Sequence, residues 1–89
     1  MLFRSKIFAE CRRRGWIPFH GAMSERTSRT LGEPDFIICA DRARVFFIEC
    51  KTATGKLTTE QAGIKCWAQK LGHQVHVVRS LEEFGEVVR

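Results

Sequence analysis

No stretch of the 89-residue chain approaches the roughly 20 consecutive apolar residues that a membrane-spanning helix requires. A membrane is therefore not among the expected partners. The chain opens MLFRSKIFAE, with Arg4 and Lys6 interrupting the apolar residues, so it does not read as a secretory leader. Paired metal ligands are missing too. Cys11, Cys39, Cys50 and Cys66 form no C-x-x-C pair, and His20, His73 and His76 supply no compensating pair, which argues against a zinc site. Each cysteine lies in an apolar pattern, so reduced thiols acting as small hydrophobes are expected. There are no internal repeats and no low-complexity segments. What remains is a chain 44% hydrophobic and 28% charged, globular in composition, with room for one small domain over residues 1–89. So short a chain buries little surface, and with neither staples nor metal clips dimerisation is the expected remedy. The chain is expected to be soluble and intracellular.

The charge is unevenly placed. Residues 1–31 hold seven basic side chains (Arg4, Lys6, Arg12, Arg13, Arg14, Arg26, Arg29) against Glu10 and Glu25, whereas residues 32–89 are balanced at eight of each sign. All of the excess of +5 therefore sits in the first third. A basic patch attracts a phosphate backbone; it also describes an ordinary solvated helix face.

Phe3, Ile7 and Cys11 recur every four residues and predict an amphipathic helix closed by Gly15. Trp16 to Phe19 reads as a short strand, confined to an edge by Pro18. From His20 to Glu33 there is no period, only a long polar loop. Two β runs follow, 34–40 and 44–51, separated by Asp41, Arg42 and Ala43. Neither alternates cleanly, so a sheet covered on both faces is expected. Thr58 with Gln61 forms a capping box, opening a helix whose buried face is read as Ile64, Trp67, Ala68 and Leu71. Residues 74–79 form a strand. Ser80 with Glu83 opens a last helix, with Leu81, Phe84 and Val88 inward. The predicted α/β order is helix, strand, hairpin, helix, strand, helix, with a βαβ crossover making the central sheet mixed.

Three charged residues interrupt the hairpin: Asp35, Glu49 and Lys51. If the loop is 41–43, Ala40 pairs with Arg44 and Asp35 falls directly opposite Glu49. Lys51, two residues on, shares their face with Ile37, Cys39, Val45 and Phe47, leaving Phe36, Ile38, Phe46, Ile48 and Cys50 on the other. Facing carboxylates destabilise a ladder unless something compensates them. Two readings stand at this point. A divalent cation with oxygen ligands, Mg²⁺ or Mn²⁺, would neutralise the pair. Alternatively, Lys51 alone balances the acids in a structural ion-pair cluster.

Pro34-Asp35, with Glu49-Cys50-Lys51 fourteen residues after the aspartate, resembles the PD-(D/E)XK nuclease motif. Gly32-Glu33-Pro34-Asp35, Phe46 to Lys51, Gly55-Lys56-Leu57-Thr58-Thr59-Glu60-Gln61 and the ending Gly72 to Ser80 together resemble the VRR-NUC family over essentially the whole chain. The resemblance implies a single restriction-endonuclease-like domain performing metal-dependent phosphodiester hydrolysis. It implies Asp35, Glu49 and the Cys50 backbone carbonyl as ligands of Mg²⁺ or Mn²⁺, and Lys51 as the group that positions water and stabilises developing charge. It also sets Gln61 beside the active site, whereas the local reading only completes the Thr58 cap. Related sequences carry an early helical Glu at the metal site. Here positions 1–9 contain no acid, and Glu10 is the one candidate for that role.

Stand-alone members of the family resemble phage or bacterial dimers acting on branched DNA such as four-way (Holliday) junctions. By that analogy the expected substrate is DNA, with no small-molecule substrate. Its expected contacts are Arg12, Arg13, Arg14, Arg26, Arg29 and Lys56. Nicking, flap-cutting or restriction-like cleavage are alternatives, as is a non-catalytic DNA-binding module. Trp16 is open to two readings, a base-stacking platform or a core or dimer-interface residue.

Overall fold

The first helix, α1 (Leu2–Arg14), ends where its sequence stops it. Gly15 takes φ +79°, a left-handed turn that costs a residue without a Cβ little. Its N–H and that of Trp16 return to the carbonyls of Arg12 and Cys11. The chain then enters β1 (Ile17–Phe19), β2 (Phe36–Cys39) and β3 (Val45–Cys50), crosses through α2 (Thr59–Lys70) to β4 (Val75–Val78), and finishes in α3 (Leu81–Val87). The computed structural model describes residues 2–20 and 30–89. Most of the polar loop read between His20 and Glu33, including 21–29, lies outside them.

The sheet order is β1-β2-β3-β4. The first two pairings are antiparallel and β3–β4 is parallel, the mixed sheet expected from a hairpin followed by a crossover. Pro18 lies on an edge strand, where a missing N–H costs no ladder bond. The hairpin register pairs Phe36 with Ile48 and Cys39 with Val45, and the Ala40 N–H donates to the Arg44 carbonyl at 2.9 Å. This is the register expected from a 41–43 loop. The turn is made by Arg42 and Ala43 at φ +56° and +60°, with the Arg44 N–H closing on the Asp41 carbonyl. Both are L-residues in a left-handed conformation, a strained choice at a position that favours glycine or asparagine.

One face of the sheet carries the core. Phe36, Ile38, Ile48, Cys50 and Val78 pack against Ile7 and Cys11 of α1, Trp16, and Phe84 and Val88 at the α3 end. Trp16 is 6% exposed and stacks on Phe46, so of its two readings the core one holds. Truncating a residue such as Ile38 in so small a core would cost about 2–5 kcal/mol.

The opposite face departs from expectation. No residue of α2 is buried, and Trp67 and Leu71 are 63% and 65% exposed. Ile17, Phe19 and Val45 are likewise exposed. Register places Ile17 beside Cys39 and Val45, and Phe19 beside Ile37 and Phe47, in cross-strand rows on this face. The sheet is thus fully covered on one side only. Leu81, read as inward, is also exposed. Of the cysteines, Cys11 and Cys50 are buried, Cys39 is half-buried and Cys66 is exposed, and none is bonded to another. Among the described residues no helix is long and apolar enough to cross a membrane.

Candidate active site

The continuing β2–β3 register brings Asp35 opposite Glu49, at the end of the sheet away from the hairpin turn. Asp35 lies one residue before β2, and its side chain is fixed by the neighbouring strand: the Cys50 N–H donates to Oδ2 at 2.8 Å. Among the described residues Glu49 is the buried charged one, 2% exposed. Lys51, two residues on, holds its Nζ 3.7 Å from Glu49 Oε2. Burial first, and the facing Asp35 charge second, push the Glu49 carboxyl up to about 7, against the pull of Lys51 and Arg4. Two acids therefore share one pocket of charge that nearby cations only partly balance.

Gln61 unites the two readings of its position. Its Oε1 accepts from the Thr58 N–H at 2.9 Å and its backbone N–H donates to Thr58 Oγ1, so the capping box is complete. Its Nε2 donates to Glu49 Oε2 at 2.9 Å. One side chain starts α2 and orients the buried acid. The Ser80 box, by contrast, is only half formed: Glu83 sends its carboxylate to the Arg79 N–H instead.

Gly32 explains the G-x-P-D spacing. At φ +83°, a Cβ there would lie 2.3 Å from the Glu60 carbonyl oxygen and 2.9 Å from the Gln61 nitrogen. The turn before Asp35 thus rests directly on the first turn of α2, which fixes Gln61 relative to the carboxylates. The loop after Lys51 has its own anchor. Arg79 Nη1 donates to the carbonyls of Thr52 at 2.7 Å and Gly55 at 2.6 Å, holding the loop that carries exposed Lys56.

Other expected residues are placed elsewhere. The Glu10 carboxylate accepts from Arg13 and Arg14, whose hydrogen bonds hold it down at about 2, so it does not join Asp35 and Glu49. Arg14 stacks over Trp16 at 4.9 Å, with Arg44 over the same ring at 5.6 Å. That puts Arg12, Arg13 and Arg14 toward the turn end of the hairpin, roughly 13 Å of strand from the carboxylates. Arg26 and Arg29 lie outside the described residues. What α1 does bring to the site is Arg4, which sequence reasoning missed: Nη2 lies 2.7 Å from Asp35 Oδ1. The signal was present, since Arg4 shares its helical stripe with Ile7, Phe8 and Cys11, an odd place for a cation.

The donor set is oxygen. Asp35, Glu49 and the Cys50 carbonyl suit a hard divalent cation, whose charge would offset the buried acid pair. The Cys50 thiol plays no part, being buried on the core face with its pKa pushed up to about 12, first by desolvation. Among the described residues no group of three or more His, Cys, Asp or Glu side chains is placed to hold a metal ion.

The mixed four-stranded sheet flanked by helices thus carries an acid pair and a lysine at one strand end. A sequence model of the nuclease-related domain matches residues 3–87, and the chain belongs to that family. A solved structure of a VRR_NUC domain superposes with a TM-score of 0.77 over 97% of this chain and 89% of that one, at 20% identity. The fold is therefore the one that the motif resemblance implied. No curated protein matches the chain. Family and fold together make this a nuclease domain.

Proposed function

We propose that the chain is a metal-dependent, structure-selective DNA endonuclease. In this reading Asp35, Glu49 and the Cys50 carbonyl hold Mg²⁺ or Mn²⁺, and Lys51 and Gln61 complete the centre. The observation that carries it is Glu49 itself: a 2%-exposed acid, facing a second carboxylate, with its pKa pushed up to about 7. A protein core retains such a pair at a cost, and a bound cation is the natural compensation. That ion, when bound, would supply Lewis-acid polarisation of the phosphoryl group and acidify water.

The chain's own side chains do the rest. Asp35 is held by the Cys50 N–H, so its carboxylate is aimed before substrate arrives. Gln61 fixes the Glu49 carboxylate in one orientation through Nε2. Lys51, whose Nζ faces that carboxylate and is partly exposed, orients the attacking water and meets charge developing on the phosphate. Exposed Lys56, on the loop anchored by Arg79, contacts the backbone next to the cut.

The preferred substrate in this reading is a branched DNA such as a four-way junction, cut by a homodimer. A C₂ dimer presents two sites to two symmetric strands. The exposed apolar rows around Ile17, Phe19 and Val45 support a second copy covering that face. The test offers matched four-way junction, flap, single-stranded and duplex DNA with Mg²⁺, Mn²⁺ or EDTA, alongside sedimentation of the free protein. Paired, metal-dependent junction cuts by a dimer are expected. Cutting confined to flaps or linear duplex would remove the junction assignment, and binding without any cutting would remove the enzyme.

A further inference from the structure

Asp35 has two carboxylate oxygens, and both are taken by the protein itself. Oδ2 accepts the Cys50 N–H at 2.8 Å, a bond fixed by strand geometry. Oδ1 faces the Arg4 guanidinium at 2.7 Å. Glu49 faces Asp35 across the ladder, so the guanidinium on Asp35 stands beside an acid pair and not a single acid. Arg4 reaches them from the start of α1 with its side chain 29% exposed, leaving it an open direction toward solvent.

We propose that Arg4 is a displaceable counter-cation that competes with the divalent ion for Asp35 Oδ1 and thereby sets the metal affinity of the centre. The proposal rests on the metal-dependent reading above and goes beyond it. A hard divalent ion needs an oxygen at about 2.0–2.6 Å. An oxygen has lone pairs enough for two donors, but two cations within about 4 Å of one another repel strongly in a partly buried site. Arg4 must therefore swing outward as the ion enters. In that position it stands at the mouth of the site, where a substrate phosphate would meet a guanidinium no longer committed to Asp35. The metal-free state is held together by the same contact that weakens metal binding.

The test is calorimetric titration of the full chain with MnCl₂, at pH 8 and low salt, for wild type, Arg4→Gln, Arg4→Lys and Asp35→Asn. Removing a charge-assisted partner of Asp35 should tighten Mn²⁺ binding by about tenfold in Arg4→Gln. Arg4→Lys should remain within a few-fold of wild type, since the charge stays. A purely structural Arg4 would give the opposite sign, because a disordered site binds metal less well. Thermal melts provide a second readout: metal-free Arg4→Gln should melt below wild type yet gain more from Mn²⁺. Should Arg4→Gln fail to fold, wild type still decides. Titration with Mg²⁺ should shift the Arg4 Nε–H resonance in step with the Asp35 and Glu49 amides. Binding that is lost in Asp35→Asn but unchanged or weakened in Arg4→Gln would overturn this inference alone, as would an Arg4 resonance indifferent to Mg²⁺. Absence of Mn²⁺ binding in every variant would overturn it together with the metal-dependent reading.

Discussion

Replacing Glu49 by glutamine should make the metal-free protein more stable at pH 8 while removing its response to metal. The folded carboxyl titrates at about 7, against an ordinary value of 4.5. Between those two pH values the folded state holds a proton that the unfolded chain has released, so stability falls as pH rises. Below 4.5 both states are protonated and no penalty exists; above 7 the penalty is complete. A shift of this size corresponds to about 3 kcal/mol when fully expressed. Glutamine never ionises, can still accept from Gln61 Nε2, and can donate an amide N–H toward Asp35. The attractions to Lys51 and Arg4 that it gives up are already contained in that raised value, so nothing further is subtracted. The gain at pH 8 is therefore about 2–3 kcal/mol, or a Tm rise of roughly 8–24 °C for a domain of this size. At pH 4.5 the gain should vanish. Circular dichroism melts in EDTA at both pH values, repeated with Mn²⁺ at pH 8, provide the assay. A Glu49→Gln protein less stable than wild type at pH 8, or offset equally at both pH values, would refute the account of Glu49 as a strained acid.

Outcomes at three further positions follow from the same geometry. Gly32→Ala should lower Tm and DNA cleavage together, because its Cβ would press on the Glu60 carbonyl and displace Gln61; parallel melts and cleavage rates check this. Gln61→Ala removes both the cap acceptor and the Glu49 donor, costing about 1 kcal/mol by denaturant melts. Gln61→Glu retains the acceptor but sets a third carboxylate against Glu49, so cleavage should fall further than stability does. Ala43→Gly relieves a left-handed alanine at φ +60° and should stabilise the hairpin by up to about 1 kcal/mol, with cleavage unchanged.

The hairpin was readable because two β runs separated by a three-residue gap leave one register that puts both acids and the lysine on one face. A slip of one residue would have sent Asp35 into the core. Gln61 was readable as a cap and as a site residue, but not as both at once, since a sequence does not show that one amide has two ends in use. The arginines were the harder case. Arg12, Arg13 and Arg14 stand out by clustering, yet clustering says nothing about which end of a helix lies over the acids. Arg4, the one that reaches Asp35, is isolated and set within an apolar stripe. The α2 face was overread for a related reason: Trp67 and Leu71 keep helical spacing, but spacing does not reveal whether the sheet beneath extends far enough to cover them.

The central claim is that an oxygen-ligated cation held by Asp35 and Glu49 cuts phosphodiester bonds. Single-turnover cleavage of a labelled branched DNA tests it most directly, using protein stripped with EDTA and resupplied with Mg²⁺ or Mn²⁺, beside Asp35→Asn and Lys51→Ala. The account predicts no cutting in EDTA, recovery with either ion, and loss of cutting in both variants while DNA binding persists. Cutting that survives EDTA, or that survives Asp35→Asn at the wild-type rate, would contradict it.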